Sequence, residues 1–311
     1  MRIGVMGSGG VGGFFGMRLA QAGLDVTFIA RGAHLAAMRE HGLKIENAHL
    51  GDEILTDVKA TDDPSTVGVV DVVLFAVKLW DTENAARLIA PMVGPDTGVL
   101  SLQNGVLKDD TLRDIFPAEA VMGGVGYVAT AIARPGVIGQ TGSLQRAVIG
   151  EYDGRPSERA RALVDAFQRT GVTAELSPDI RRALWEKFVF LVGLSSMTSL
   201  TRLPIGPVRV NPKTRDFLYQ IMSEAVAVGR AHGVSLPADY ADDRMKFVDE
   251  LAETMTSSMH HDLEQGNRLE VDWLSGGVVK LGRDVGVPTP ANSAACAILS
   301  PHAAGRKAAR R

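Results

Sequence analysis

The sequence predicts an α/β chain in two parts, a parallel sheet covered by helices and then an all-helical domain. Three observations predict it. Over the first half, short runs of Val, Ile, Leu and Phe alternate with helical patterns, and near-continuous apolar strands belong to parallel sheets covered on both faces. A glycine-rich turn separates the first run from the first helical pattern. After Ser177 the texture becomes helical, with little that reads as strand. A chain of 311 residues suits two domains of about 150 residues each. The boundary is placed at residue 177, giving domains 1–177 and 178–311.

Residues 2–7, 26–31, 69–78 and 98–103 each read as buried strands. Residues 11–22 read as a helix stopped by Gly23, and 82–93 as a helix followed by Gly94-Pro95, because glycine and proline mark helix ends. Residues 120–129 and 143–150 suit further strands, with turns at Pro135-Gly136 and Gly139, and 173–176 a last edge strand. Ser177-Pro178-Asp179 has the form of a helix start: a hydroxyl N-cap, proline at the first position and an acid in the first turn. Residues 215–232 carry Phe217, Ile221 and Val228 on one face and stop at Gly233, and 240–266 and 269–285 read as two further helices. No internal repeat is evident, and the basic tail 303–311 reads as a solvated terminus.

Composition excludes several classes. Lys+Arg 33 against Asp+Glu 36 leave a net charge of −3, without the clustered cationic excess of a nucleic-acid binder. Apolar residues at 45% and charged residues at 22% are ordinary for a globular chain, and this length buries enough surface to need no disulfide or metal staple. The one cysteine, Cys296, allows no internal disulfide and suits a reducing compartment. Uncharged apolar stretches around 120–133 and 188–201 fall short of the roughly 18–20 residues of a membrane span. The chain opens directly on a strand-like run, which leaves no room for a signal peptide. A cytoplasmic protein with no membrane or nucleic-acid partner is expected, a homodimer being the assembly considered.

Gly7-Ser8-Gly9-Gly10-Val11-Gly12 matches G-x-G-x-x-G between a strand and a helix, the context that makes this pattern a Rossmann-type dinucleotide site. Gly7 permits the tight turn, Gly9 lets backbone approach a pyrophosphate, and Gly12 allows close helix–strand packing. The alternative is a purely structural glycine turn. At the end of the second strand, a site for the unphosphorylated cofactor carries Asp or Glu for the ribose 2′-hydroxyl. Here stand Ala30, Arg31 and Gly32, while Asp25 precedes the strand. Arg31 suits a 2′-phosphate, so NADP(H) is the expected cofactor; a solvated surface arginine is the plain alternative.

Further motifs follow in order: Ala76-Val77-Lys78, Leu102-Gln103-Asn104-Gly105, Trp185-Glu186-Lys187, and Ser257-Ser258-Met259 with Glu270 twelve residues after Ser258. Through these and the glycine loop with Arg31, nearly the whole chain resembles the ketopantoate reductases (2-dehydropantoate 2-reductases), which are similar in fold style to 6-phosphogluconate and hydroxyacid dehydrogenases. The residues offer matching chemistry. Hydride donation to a ketone leaves negative charge on oxygen and calls for a proton donor. Lys187 is the only charge after Glu186 in the apolar stretch 183–194; burial there would lower its pKa toward a working range, although a lysine snorkelling from an amphipathic face has the same sequence. Asn104 sits in a glycine turn after a strand, where ligands bind in open α/β sheets, but Asn-Gly is also a common turn former. Lys78 closes its strand on that same edge, where a surface lysine is equally at home. The resemblance implies that Asn104 contacts cofactor and substrate, that Lys78 lies near the nicotinamide, and that Ser258 and Glu270 hold the substrate's carboxylate and a distal polar group, Glu270 also serving Lys187. Read alone, Glu270 is an acid early in a helix, favoured by the dipole.

His260-His261 reads as a solvated helix face, and no metal site is expected. One departure bears on the substrate. Ketopantoate reductases usually carry asparagines one and two turns after the Trp-x-Lys motif, where this chain has Leu191 and Ser195, and a third in the following loop, near Ile205. Ser195 is kept as a substrate residue, although shorter than asparagine. The expected activity is NADPH-dependent reduction of ketopantoate or a related 2-oxo acid to the 2-hydroxy acid, at a cleft between the domains. The alternatives are a reductase of a more apolar 2-oxo acid or imine, and a non-catalytic NADPH-binding sensor.

Overall fold

The computed structural model describes residues 1–306. The chain divides into two compact units, Met1–Asn104 with Lys108–Ala183 and Gly105–Leu107 with Leu184–Arg311. The division falls inside a helix, six residues past the change of texture at 177.

The first unit runs β1 Arg2–Met6, α1 Gly10–Gln21, β2 Asp25–Ile29, α2 Gly32–His41, β3 Leu43–Glu46, β4 Glu53–Leu55, β5 Lys59–Thr61, β6 Val70–Phe75, α3 Thr82–Leu88, β7 Val93–Ser101, α4 Lys108–Arg113, β8 Val121–Arg134, β9 Val137–Gly150, α5 Glu158–Arg169 and β10 Thr173–Leu176. The strands form a ten-stranded sheet in the order β4-β3-β9-β8-β7-β6-β1-β2-β5, with β10 also paired to β9. From β8 through β5 every pairing is parallel, while β8–β9 and β3–β4 are antiparallel. Ile3, Val5, Phe14, Phe15, Phe28, Leu74 and Leu100 are buried together in its core. Burying an aliphatic or aromatic side chain contributes about 1.5–3 kcal/mol, which is why these unbroken apolar runs become central strands.

Three expectations about this unit need correction. Gly139 lies inside β9 rather than at a turn, so β8 and β9 form one long hairpin about Pro135-Gly136. The helix expected over 82–93 stops at Leu88, because Pro91 brings on a short 3₁₀ turn, Ala90–Met92. Gly94-Pro95 is not a helix terminator but belongs to β7, where the register shifts between Val70 and Val72 of its neighbour. Proline is tolerated at such an irregularity, and Thr97 Oγ1 closes it by accepting from Gly94 N (2.9 Å) and donating to Val70 O (2.6 Å).

The second unit takes in most of α6 Ile180–Thr201, then α7 Ile205–Val210, α8 Pro212–Ala231, α9 Tyr240–Glu250, α10 Ser258–Gln265, α11 Ser275–Asp284 and α12 Pro290–Leu299. Trp185, Phe188, Val192, Ile221, Met222 and Val278 are buried in its core. Glu224 caps α12, its carboxylate accepting from Ala291 N (2.7 Å) and Asn292 N (2.9 Å).

Here too the sequence expectations are revised. The helix start after Ser177 is two residues later than expected, with Asp179 rather than Ser177 as the cap. Asp179 Oδ1 accepts from Arg182 N (3.0 Å) at the head of α6, while Ser177 Oγ only braces Asp179 N (3.2 Å). The single helix expected over 240–266 is two, because Ser257 Oγ caps a new start by accepting from His260 N (3.1 Å), and the chain between them receives Ile205 N at Met255 O (2.9 Å). The helix expected from 269 begins only at Ser275. Of the basic tail, residues 307–311 lie outside the described residues. No helix among the described residues is long and apolar enough to cross a membrane.

Candidate active site

In the first unit, residues 7–12 join β1 to α1. Gly7 has φ 90°, in the left-handed region open to glycine, and a Cβ there would lie 2.8 Å from both Val77 Cγ1 and Val77 N. A Cβ on Gly12 would collide with the Gly7 carbonyl oxygen and stand 3.1 Å from Ala76 Cβ. Gly9 is different, with nothing within 4 Å of where its Cβ would be. A Cβ on Gly10 would stand 2.6 Å from Thr130 O, so the turn is closed at Gly7, Gly10 and Gly12 and open at Gly9, just before α1. Ser8 is buried, and its N (3.2 Å) and Oγ (3.0 Å) both donate to Ile29 O, fastening the turn to the end of β2. With no acid in the first turn of α1, its N–H groups and dipole favour an anion.

Arg31 is exposed at the N-cap of α2, and its guanidinium has no partner among the described residues. Asp25, the nearest carboxylate in sequence, opens β2 at the opposite end of that strand, where Lys59 Nζ at 2.7 Å holds its carboxyl below the usual range. His34 is a residue that sequence reasoning missed. Its Nδ1 accepts from Gly136 N (3.0 Å), so the ring proton sits on Nε2, 2.9 Å from Ser8 O. Burial lowers the imidazole pKa, keeping the ring neutral. A lone histidine in a helical first turn carries no signal that would have selected it.

Lys78 and Asn104 leave adjacent strands, with Phe75 of β6 paired to Ser101 of β7. Lys78 does not end a strand as expected. It is exposed three residues past β6, with Nζ 5.7 Å from the centre of the Trp80 ring. Asn104 is half-buried, just before Gly105 at φ 82°. Between them lies Gln103, which the motif contained but the sequence reading did not single out. Its Nε2 donates to Val77 O (3.0 Å) and Thr82 Oγ1 (2.8 Å), and its Oε1 accepts from Ser101 Oγ (3.1 Å). The glycine turn, Arg31, Lys78 and Asn104 thus gather along the carboxyl edge of four neighbouring strands, β7-β6-β1-β2.

In the second unit, Lys187 is half-buried on α6, between the buried Trp185 and Phe188. Leu191, Ser195 and Ser199 follow at four-residue steps, a spacing that keeps them on one stripe. Leu191 is half-buried, and Ser195 and Ser199 are buried with hydroxyls that have no partner among the described residues. Ile205 does not stand in a loop. It opens α7 with its side chain fully buried in the helical core. Ser258 is exposed at the first position of α10, whereas Ser257 is buried and bonded to Thr198 Oγ1 (2.9 Å). Glu270 is buried but not helical; its carbonyl accepts from Trp273 N (3.1 Å) and Leu274 N (3.0 Å) ahead of α11. The helix-dipole reading of Glu270 is therefore withdrawn. So is the solvated-face reading of His260, a buried side chain with Nδ1 2.7 Å from Thr198 O and Nε2 3.2 Å from Glu264. No group of three His, Cys, Asp or Glu among the described residues is placed to hold a metal.

Two family models match this chain. The one described as ketopantoate reductase PanE/ApbA covers residues 3–154, and the one described as its C-terminal part covers residues 179–303. A curated 2-dehydropantoate 2-reductase of Mesorhizobium japonicum is 32% identical over 96% of this chain and 97% of its own length. Among solved structures, a PanE/ApbA family ketopantoate reductase from Ralstonia eutropha is 36% identical, with TM-score 0.88 over 97% of this chain and 98% of its own. The 2-dehydropantoate 2-reductase of Geobacter metallireducens is 29% identical, with TM-score 0.90 over 97% of this chain and 99% of its own.

Proposed function

The chain belongs to the PanE/ApbA ketopantoate reductase family, an oxidoreductase family, and from that premise we propose that it reduces ketopantoate to pantoate with NADPH. The observation that carries the reading is the full-length likeness to 2-dehydropantoate 2-reductases, in both units, joined to a glycine turn that is open at Gly9 alone of its three motif positions.

The residues of the first unit fit a nicotinamide dinucleotide. The open face at Gly9 and the N-terminus of α1 supply a pyrophosphate cradle, which a Cβ at Gly9 would fill. Arg31 supports NADPH over NADH: it follows the end of β2, its guanidinium has no partner among the described residues, and its sequence neighbours there, Ala30 and Gly32, are not carboxylates. Lys78 and Asn104 share that sheet edge and are assigned to the nicotinamide end, Asn104 also reaching the substrate. When bound, the cofactor supplies a hydride.

In the second unit, Lys187 is assigned as proton donor. Its Nζ delivers a proton to the carbonyl oxygen as charge develops there, and an ammonium also stabilises that charge before transfer. Ser258, exposed at the start of α10, is assigned to the substrate carboxylate, and buried Glu270 to the substrate hydroxyl. Ser195 is retained as a substrate group because its buried hydroxyl has no protein partner among the described residues.

The test is NADPH oxidation across a panel of 2-oxo acids, ketopantoate among them. Turnover of ketopantoate upholds the reading. Preference above about a hundredfold for an apolar analogue, roughly 2.7 kcal/mol, makes this a reductase of another 2-oxo acid, a reading favoured by Leu191 on the Lys187 stripe. Tight NADPH binding with no turnover at all identifies a sensor.

A further inference from the structure

We infer that Gln103 is a positioning residue for the cofactor edge, acting through Val77 on Lys78 and on the glycine turn; the inference rests on the assignment of that edge to NADPH. The sheet ladder holds the chain only so far on either side. Ala76 N still bonds to Met6 O (2.8 Å) and Leu102 N to Phe75 O (2.9 Å), and there the regular strand bonds end. Lys78 lies two residues beyond Ala76. Its preceding carbonyl, Val77 O, accepts from Gln103 Nε2 at 3.0 Å.

The amide is fixed in one orientation. Both Nε2 hydrogens are used, on Val77 O and Thr82 Oγ1, and Oε1 accepts from Ser101 Oγ. Turned over, Gln103 would aim its own carbonyl at Val77 O, acceptor against acceptor. Thr82 Oγ1 passes its own hydrogen to Leu79 O (2.8 Å), so the connection from Val77 to the start of α3 hangs on this amide at both ends. The base of Gln103 is steadied in turn. Ser101 O accepts from the buried Lys108 Nζ (2.8 Å), which also pairs with Asp109 (3.0 Å), and Asp109 accepts from Tyr152 OH (2.6 Å).

Val77 has a second neighbour. It packs so closely on Gly7 that a Cβ there would stand 2.8 Å from its N and Cγ1. Holding Val77 therefore sets two things at once, the backbone that carries Lys78 and the wall against which the glycine turn is folded. Gln103 is itself buried and need not touch the cofactor to do this. A buried glutamine two residues past an apolar strand must satisfy its amide in the protein, and here it does so on the chain that follows the neighbouring strand.

A double-mutant cycle separates positioning from plain stability. Gln103→Leu, Lys78→Ala and the pair are titrated with NADPH by nicotinamide fluorescence, on protein confirmed folded by circular dichroism, and kcat and KM are measured with the best 2-oxo acid. Gln103→Leu is expected to weaken NADPH about tenfold to a hundredfold, the scale of losing the charge-assisted contact assigned to Lys78. The double variant should be no weaker than the weaker single one, because Gln103 acts through Lys78 and its wall. Losses that multiply would overturn the inference, as would an unchanged dissociation constant in Gln103→Leu. If Lys78→Ala binds NADPH as well as wild type while Gln103→Leu does not, the assignment of Lys78 fails, and the inference with it. Gln103→Glu gives a second measurement should the leucine variant not fold. The shape is kept, but a carboxylate facing Val77 O donates nothing, whereas its protonated form donates once. Affinity in this variant should recover as pH falls from 8 to 5.5, relative to wild type; no relative recovery refutes the role of the donated bond.

Discussion

Two alanine substitutions in the glycine turn should part stability from binding. At Gly12 the added Cβ meets the Gly7 carbonyl oxygen, a backbone atom that cannot rotate away, and lies 3.1 Å from Ala76 Cβ. Overpacking costs about 1–3 kcal/mol, and alanine's better helix propensity returns up to about 1 kcal/mol. Because the clashing atom is backbone, the upper end applies and a net loss of about 2 kcal/mol follows, or about 4–8 °C in Tm for a unit of this size. At Gly9 nothing lies within 4 Å of the new atom, and φ −79°, ψ −156° is open to any L-residue. The smaller unfolded-state entropy favours alanine by about 0.4–1 kcal/mol, and the poorer N-cap takes back about 0.5–1 kcal/mol, so stability should hold to within about 0.5 kcal/mol. Binding should behave in the opposite way. A methyl at Gly9 occupies the cradle, and losing one charge-assisted hydrogen bond there costs about 1.5–3 kcal/mol, about ten- to 150-fold in NADPH affinity. Urea unfolding and NADPH titration of both variants provide the assay. A Gly9→Ala protein that binds NADPH as wild type does would refute the cradle, and one that unfolds as early as Gly12→Ala would refute the reading of the open face.

Arg31→Ala should cut a preference for NADPH over NADH of at least about tenfold to near parity, and equal affinities in the wild type would end the NADPH assignment. Lys187→Ala should lower kcat by about 10²- to 10⁴-fold with NADPH affinity unchanged; an unaltered kcat on the best substrate makes it a structural lysine. Ser195→Ala removes a buried hydroxyl that has no protein partner among the described residues, so stability should hold or rise by up to about 1 kcal/mol. KM for the 2-oxo acid should rise with it, and an unmoved KM removes Ser195 from the substrate site. Glu53, held below its ordinary pKa first by the Arg18 hydrogen bond (2.6 Å), contributes stability that is present above about pH 4.5 and lost as pH falls through the lowered value. Urea unfolding of Glu53→Gln should therefore show a deficit at pH 7, about 1 kcal/mol for a partly exposed carboxylate, that shrinks towards pH 3, and a deficit independent of pH would contradict the pairing.

What the sequence made legible follows the range of the interactions. The glycine turn is local: the φ of Gly7 and the crowding at Gly12 arise within a few residues of each other, so the spacing of glycines carries them. The apolar runs behind β1, β2, β6 and β7 were long enough to read. By contrast, β3, β4 and β5 have only three or four residues each, mostly exposed or half-buried, and show no pattern before their partners are known. The break at Ser257 and the late start of α11 arise because the intervening chain serves other elements, as Met255 O does for Ile205 N. Gln103 was hidden for the same reason, since its partners Val77 and Thr82 stand more than twenty residues away.

Burial also sorts the positions at which this chain departs from the residues usual in its family. Ile205 is sealed in the helical core, so an apolar residue there serves packing and says nothing about what is bound. Leu191 and Ser195 lie on the stripe that begins at Lys187, the first half-buried and the second buried with a hydroxyl that has no partner among the described residues. A buried hydroxyl without a partner costs about 1–3 kcal/mol, while under the proposed role of Lys187 a half-buried leucine one turn further along the helix favours an apolar substituent. The two residues pull toward different substrates, a polar one at Ser195 and an apolar one at Leu191, and the relative kcat/KM of ketopantoate and its apolar analogues measures which of them prevails.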